Sequence, residues 1–151
     1  MSSLTSMNTA SRLPRLRGAL DEAGCDALLV TNLTNVRYLT GFTGSAALLF
    51  VLPDETVFAT DGRYETQSAE ELAVASVEAR IVVTPAAKQR EVLAPLVAGV
   101  KRLGLEAAHI SWARQRAFEA EWFREVELVA TEGLIEELRR VKDAGELERM
   151  A

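Results

Sequence analysis

Between Asn35 and Tyr64 two polar, glycine-bearing clusters flank two apolar runs: Gly41-Phe42-Thr43-Gly44-Ser45 ahead of them and Thr60-Asp61-Gly62-Arg63-Tyr64 behind. Such residues suit three chemistries, each of which needs a partner. A serine nucleophile at Ser45 requires a general base within hydrogen-bond reach. The spacing Gly41-x-x-Gly44-Ser45 is not the G-x-S-x-G elbow. The single histidine, His109, lies in an apolar, strand-like stretch near Trp112, where a hydrogen-bonded core or edge role is the simpler reading. A phosphate cradle wants a helix N-terminus after its glycines, yet an apolar strand follows Ser45, so tight-turn geometry explains the glycines better. A metal site wants His, Cys, Asp or Glu at ligand spacing. Glu70-Glu71 and Glu136-Glu137 stand on helical stretches without His or Cys partners and read as solvated faces.

Position is more informative than any single residue type. Thr60 to Tyr64 falls where a strand gives way to a helix, the place at which α/β sheets present functional groups. Asp61 suits a helix cap, while Arg63 and Tyr64 either pack on the preceding loop or face a ligand. Arg37 and Tyr38, on the connection before Gly41, pose the same choice.

The elements that must hold these residues follow from hydrophobic spacing. Leu13, Leu16 and Leu20 recur at i, i+3 and i+7 between Ser11, a candidate N-cap, and Gly24, a candidate stop, which predicts a helix with Arg12, Arg15 and Arg17 facing solvent. Asp26 to Thr31 is a short continuous apolar run, as in a strand covered on both faces. Asn32 to Tyr38 reads as a loop or one helical turn. Ser45 to Leu52 and Thr56 to Thr60 are strands joined by Pro53-Asp54-Glu55, short enough to demand a hairpin. A helix is predicted from Asp61 to about Ala73, a strand around Ile81-Val82-Val83, and a helix from Ala86 to Lys101 that Pro95 should bend or interrupt. Leu103 to Glu106 and His109 to Trp112 read as one strand and its continuation. Arg114 to Arg124 reads as a helix with Phe118 and Trp122 on one face, and Val126 to Ala130 as the last strand. Thr131 would cap a final helix striped by Leu134, Ile135, Leu138 and Val141. Strands alternating with helices around one hairpin predict an α/β fold, a three-layer α/β/α arrangement with a mixed sheet.

At 151 residues, 48% hydrophobic and 26% charged, the chain suits one domain with its own core. A net charge of -5 without a Lys/Arg cluster supplies no field for nucleic acid or an anionic membrane. No apolar run approaches the roughly 18 residues of a membrane span. The lone Cys25 cannot form an intramolecular disulfide and reads as a buried structural thiol. Residues 1–10 are expected to be a disordered tail, since Met1 to Asn8 lack the apolar core of a secretion signal, and a cytoplasmic location is expected. After Lys142 a new helical pattern starts, with Asp143 and Glu146 in capping-box spacing before Leu147, Met150 and Ala151. Residues 11–141 are therefore expected to form the domain and 142–151 to begin a linker helix into a segment beyond this sequence.

Three separated motifs carry a resemblance. Asn35-Val36-Arg37-Tyr38-Leu39-Thr40-Gly41-Phe42-Thr43-Gly44-Ser45, then Thr60-Asp61-Gly62-Arg63-Tyr64 with Gln67, then Leu138-Arg139-Arg140-Val141-Lys142-Asp143 with Glu146 and Ala151, resemble in order the N-terminal domain of the creatinase, prolidase and aminopeptidase P family. The resemblance spans Ser11 to Ala151. It implies a ribonuclease H-like α/β/α domain of a cytoplasmic Xaa-Pro aminopeptidase or Xaa-Pro dipeptidase, a metallopeptidase whose two divalent ions (Mn, Co or Zn) sit on two Asp, one His and two Glu of a C-terminal pita-bread catalytic domain. None of those ligands maps onto this chain, which is expected to be inactive alone. The resemblance further implies a homodimer, a proline-containing peptide substrate, and an N-terminal domain that helps shape the active site. Arg37, Tyr38, Phe42, Ser45, Asp61, Arg63 and Tyr64 are the residues it would place at the substrate pocket or between subunits. Two other readings stay open: a stand-alone binding or scaffold domain, and the N-terminal domain of a creatinase-like amidinohydrolase.

Overall fold

The structure is a computed structural model and describes residues 9–140. Val141 and the expected linker start at 142–151 lie outside the described residues, as do the first eight. Six strands form one sheet: β1 (Ala27–Val30), β2 (Leu48–Val51), β3 (Thr56–Thr60), β4 (Arg80–Val83), β5 (Arg102–Glu106) and β6 (Glu127–Thr131), in the order β4-β3-β2-β1-β5-β6. β1 pairs in parallel with β5, β5 with β6, and β3 with β4, while β2 is antiparallel to both β1 and β3. Only β2 therefore runs against the rest, so the carboxyl ends of the other five strands share one edge with the start of β2. The sheet is mixed and carries the expected hairpin, with Leu48 opposite Ala59 and Val51 opposite Thr56.

Both faces are covered, which is why the strands read as continuous apolar runs. Leu28, Val30, Leu49, Val51 and Phe58 point to one face, against Leu13, Leu16 and Leu20 of α1 (Arg12–Leu20), Val36 and Leu39 of α2 (Leu33–Thr40), Leu72 of α3 (Glu65–Val74), and Ile135. Their neighbours Ala27, Leu29, Leu48, Phe50 and Val57 point to the other, against Leu93 of α4 (Gln89–Leu93), Val97, Phe118 and Phe123. This two-residue alternation sorts the apolar side chains into two cores and gives the three-layer α/β/α arrangement. Gly104 of β5 serves the first core by lacking a side chain, since a Cβ there would stand 2.7 Å from Cys25 Sγ and 3.0 Å from Leu28 Cδ1. Cys25 itself is buried, and desolvation holds its thiol above the ordinary value.

Several local expectations are corrected. Residues 9 and 10 are already helical and Thr9 is buried, so helical structure begins before Ser11, whose side chain makes no cap bond. Arg12 and Arg17 do not simply face solvent. Arg12 Nη1 donates to Tyr38 O at 2.7 Å, and Arg17 Nη2 donates to Leu52 O at 3.1 Å and Thr56 Oγ1 at 2.7 Å, so their stems lie along the core and their guanidinia close neighbouring turns.

The loop or single helical turn expected at Asn32 to Tyr38 is the two-turn helix α2. It is bracketed by Asn32, whose side chain accepts from Thr34 N, and by Gly41 at φ 82°. Pro95 interrupts its helix, one of the two expected outcomes, and the helix is shorter than Ala86 to Lys101. α4 is only a short piece between 3₁₀ turns at Ala86–Lys88 and Ala94–Val97. His109 to Trp112 is not strand: His109 is exposed in a turn, its N–H donating to Glu106 O at 3.0 Å, and Ser111 caps α5 (Trp112–Ala117). α5 widens into a π-helical turn over Phe118–Trp122, yet Phe118 and Trp122 still meet edge to face at 5.3 Å. Thr131 ends β6 instead of capping a helix, and the last helical residues described are 134–140.

Candidate functional site

All five strands that run in the common direction end in, or run into, a buried polar residue: Thr31 after β1, Thr60 on β3, Thr84 after β4, Glu106 on β5 and Thr131 on β6. Backbone groups at a strand end lose their ladder partners and need others. Thr60 Oγ1 donates to Ala46 O at 2.6 Å, and Thr131 Oγ1 to Leu105 O at 2.9 Å. Glu106 Oε1 accepts from Thr31 N at 2.7 Å and Asn32 N at 2.8 Å. The carboxyl edge of the sheet is thus a prepared polar rim, and the two motifs around the hairpin meet on it.

They meet because β2 and β3 are antiparallel, which puts the residues before Leu48 beside those after Thr60. Five of the seven predicted site residues come together here. Phe42 lies 1% exposed beneath the surface, edge-on to Phe58 at 4.8 Å and to Tyr64 at 5.3 Å, so it supports the rim from below. Gly44 passes over this stack, and a Cβ on it would come within 2.3 Å of Phe42 Cζ. Tyr64 and Ser45 share a 2.6 Å contact between hydroxyls, and Ser45 N donates to Tyr64 Oη at 3.2 Å. The bonds to Ser45 hold the Tyr64 phenol below its ordinary pKa. Asp61 caps the 3₁₀ turn Gly62–Tyr64 through Arg63 N and takes the Arg63 guanidinium in a fork, Nε to Oδ1 at 3.1 Å and Nη2 to Oδ2 at 2.8 Å. The guanidinium holds the Asp61 carboxyl below the usual range, and Arg63 also lies over the Tyr64 ring at 5.1 Å.

The residue that fastens the loop was absent from the predicted set. Glu71 of α3 accepts from Thr43 N at 2.9 Å and Thr43 Oγ1 at 2.8 Å, while Gln67 donates to Thr43 Oγ1 at 3.1 Å and to Glu71 Oε1 at 3.1 Å. Partial burial works to raise the Glu71 pKa, and these hydrogen bonds outweigh it, so the carboxyl sits below its ordinary value. Arg37 is exposed, and its charge adds to that lowering. Tyr38 faces elsewhere: Arg12 lies 4.1 Å over its ring, and its hydroxyl donates to Leu138 O at 3.4 Å.

Ser45 has tyrosine, not histidine, as its partner, so no nucleophile-base pair forms there. Among the described residues no group of three His, Cys, Asp or Glu side chains comes together to hold a metal ion, so the site does not fit a metal centre. None of the described helices is long and apolar enough to cross a membrane. What the arrangement does is hold hydroxyls, an amide and a guanidinium in fixed directions over an aromatic base.

Residues 12–141 match the family model described as the Creatinase/Prolidase N-terminal domain. The chain is 33% identical over 138 residues to the uncharacterized peptidase YqhT of Bacillus subtilis, covering 90% of this chain and 37% of that protein. Among solved structures it resembles the Xaa-Pro dipeptidase from Bacillus anthracis, at 33% identity and TM-score 0.77 over 87% of this chain and 36% of that one. It also resembles the N-terminal domain of the cytoplasmic peptidase PepQ from Mycobacterium tuberculosis, at 36% identity and TM-score 0.72 over 85% of this chain and 98% of that one. The chain thus spans little more than a third of YqhT and of the B. anthracis enzyme.

Proposed function

We propose a function from one premise: the chain belongs to the creatinase/prolidase N-terminal domain family, the N-terminal domain of Xaa-Pro peptidases. Its role is to present the polar rim around the β2–β3 hairpin to the active site of a C-terminal catalytic domain of pita-bread type, in its own subunit or across a homodimer. That domain supplies the two divalent ions and the hydrolysis of a proline-containing peptide, and this chain alone is inactive. The protein acts in the cytoplasm, where the M. tuberculosis relative is described as working.

The observation that carries this reading is a surface built with more care than folding requires, yet without reacting groups of its own. Two motifs are tied to each other by Tyr64 and Ser45 and to α3 by Glu71, while the side chain of Arg63 remains 66% exposed. The two oxygens of Asp61 bind Nε and Nη2, which fixes the plane of the guanidinium and aims its remaining edge outward. A planar cation fixed in this way suits a carboxylate, such as the terminus of a short peptide.

The test is to assay Xaa-Pro hydrolysis with manganese or cobalt, using this chain and the protein encoded by its uninterrupted reading frame. Turnover by the longer protein and none by the chain is the expected result. Turnover by the chain alone, or hydrolysis of creatine without proline peptides, would overturn the reading.

A further inference from the structure

Resting on the proposed function for its consequence, we infer that Asn35 is a positioning residue that sets helix 134–140 against the rim. Asn35 is fully buried, and its Nδ2 donates at once to Glu106 Oε2 at 2.6 Å and to Glu136 Oε2 at 3.0 Å. These carboxylates come from different elements, one from the end of β5 and one from the 134–140 segment. A side-chain amide has two N–H groups on one nitrogen and can join two acceptors that would otherwise repel each other. Aspartate at this position has neither donor. Glu106 is already fixed by Thr31 N and Asn32 N, so it anchors the bridge to the sheet.

The same face of α2 makes a second contact one turn on, where the Tyr38 hydroxyl donates to Leu138 O, and Ile135 is buried beside it. α2 ends at Gly41, where the loop clasped by Glu71 and Tyr64 begins. The helix is therefore a strut with the outgoing helix on its flank and the rim at its end. In the longer relatives the chain continues past the matched region, so the angle of helix 134–140 governs how the Arg63 surface meets a C-terminal domain.

Hydrogen exchange on this chain tests the strut. Glu136→Ala with Tyr38→Phe removes both contacts at solvent-accessible positions, whereas Glu136→Gln keeps an oxygen to accept from Asn35. In the double variant the amides of 134–140 are expected to exchange about three- to tenfold faster while those of β1 and β5 stay unchanged. Glu136→Gln should exchange as the wild type does. Unchanged exchange over 134–140, or acceleration shared equally by the sheet, would overturn the inference. This readout is independent of peptidase activity, so an inactive longer protein would refute the functional reading and leave the strut standing.

Discussion

The β2–β3 hairpin is closed at its 53–55 turn by backbone, by an exposed ion pair and by the Arg17 guanidinium of α1, and at its other end by a loop seated on a buried aromatic stack. At the turn, Leu52 N donates to Glu55 O, and Arg80 forks onto the Glu55 carboxylate with both partners about half exposed, at 52% and 43%. At the rim, Phe42, Phe58 and Tyr64 stack beneath a loop whose N–H and hydroxyl groups are taken up by Glu71, Gln67 and Tyr64. One hairpin thus has an end closed by separate polar contacts and an end built over an aromatic stack. The difference lies in what is underneath: exposed pairs on water are cheap to remake in other geometries, whereas side chains fixed on a buried aromatic base are not.

Substitutions should separate the two ends. The largest effect is expected from Phe42→Ala, which deletes a fully buried ring and should cost about 3–5 kcal/mol in a urea unfolding titration. Gly44→Ala should cost about 1–3 kcal/mol, because the new methyl meets Phe42 and Tyr64 and one of them must move. Glu71 makes the comparison pH-dependent. Its folded pKa lies below the ordinary 4.5, so its contribution is present above that value and is lost as pH falls through the folded one. Asp26, Glu55 and Asp61 are lowered as well, so the informative quantity is the difference between wild type and Glu71→Gln, which should vanish toward the acid end. The smallest effect belongs to the turn. Arg80→Ala should leave the unfolding midpoint within error, and a large loss there would erase the contrast between the ends.

Much of the fold could be read before any coordinates. Leu13, Leu16 and Leu20 gave α1 its buried face, the run Ala27-Leu28-Leu29-Val30 marked a doubly covered strand, and Pro53-Asp54-Glu55 required the hairpin. Each signal is local, held within one or two turns or strand repeats. Glu106 was legible only as the end of a strand, because its partners Thr31, Asn32 and Asn35 lie 75, 74 and 71 residues away. Glu71 was set aside as half of a solvated pair for the same reason: Thr43 is 28 residues distant. The helix from 86 to 101 is interrupted where Pro95 removes a donor and the chain turns to 3₁₀ geometry. A polar residue at the end of each parallel strand was a signal available in the sequence, but it means something only once the strands are known to point the same way.

The most direct test of the rim's role is the steady-state rate of the longer, metal-loaded protein on Xaa-Pro peptides, comparing Arg63→Ala with Arg90→Ala. Both arginines form exposed ion pairs, Arg63 with Asp61 on the rim and Arg90 with Glu121 on the opposite layer. A rim that faces the active site predicts a fall in kcat/KM of about tenfold for Arg63→Ala, with Arg90→Ala unchanged and both variants equally stable. Equal kcat/KM in the two variants and the wild type would contradict it.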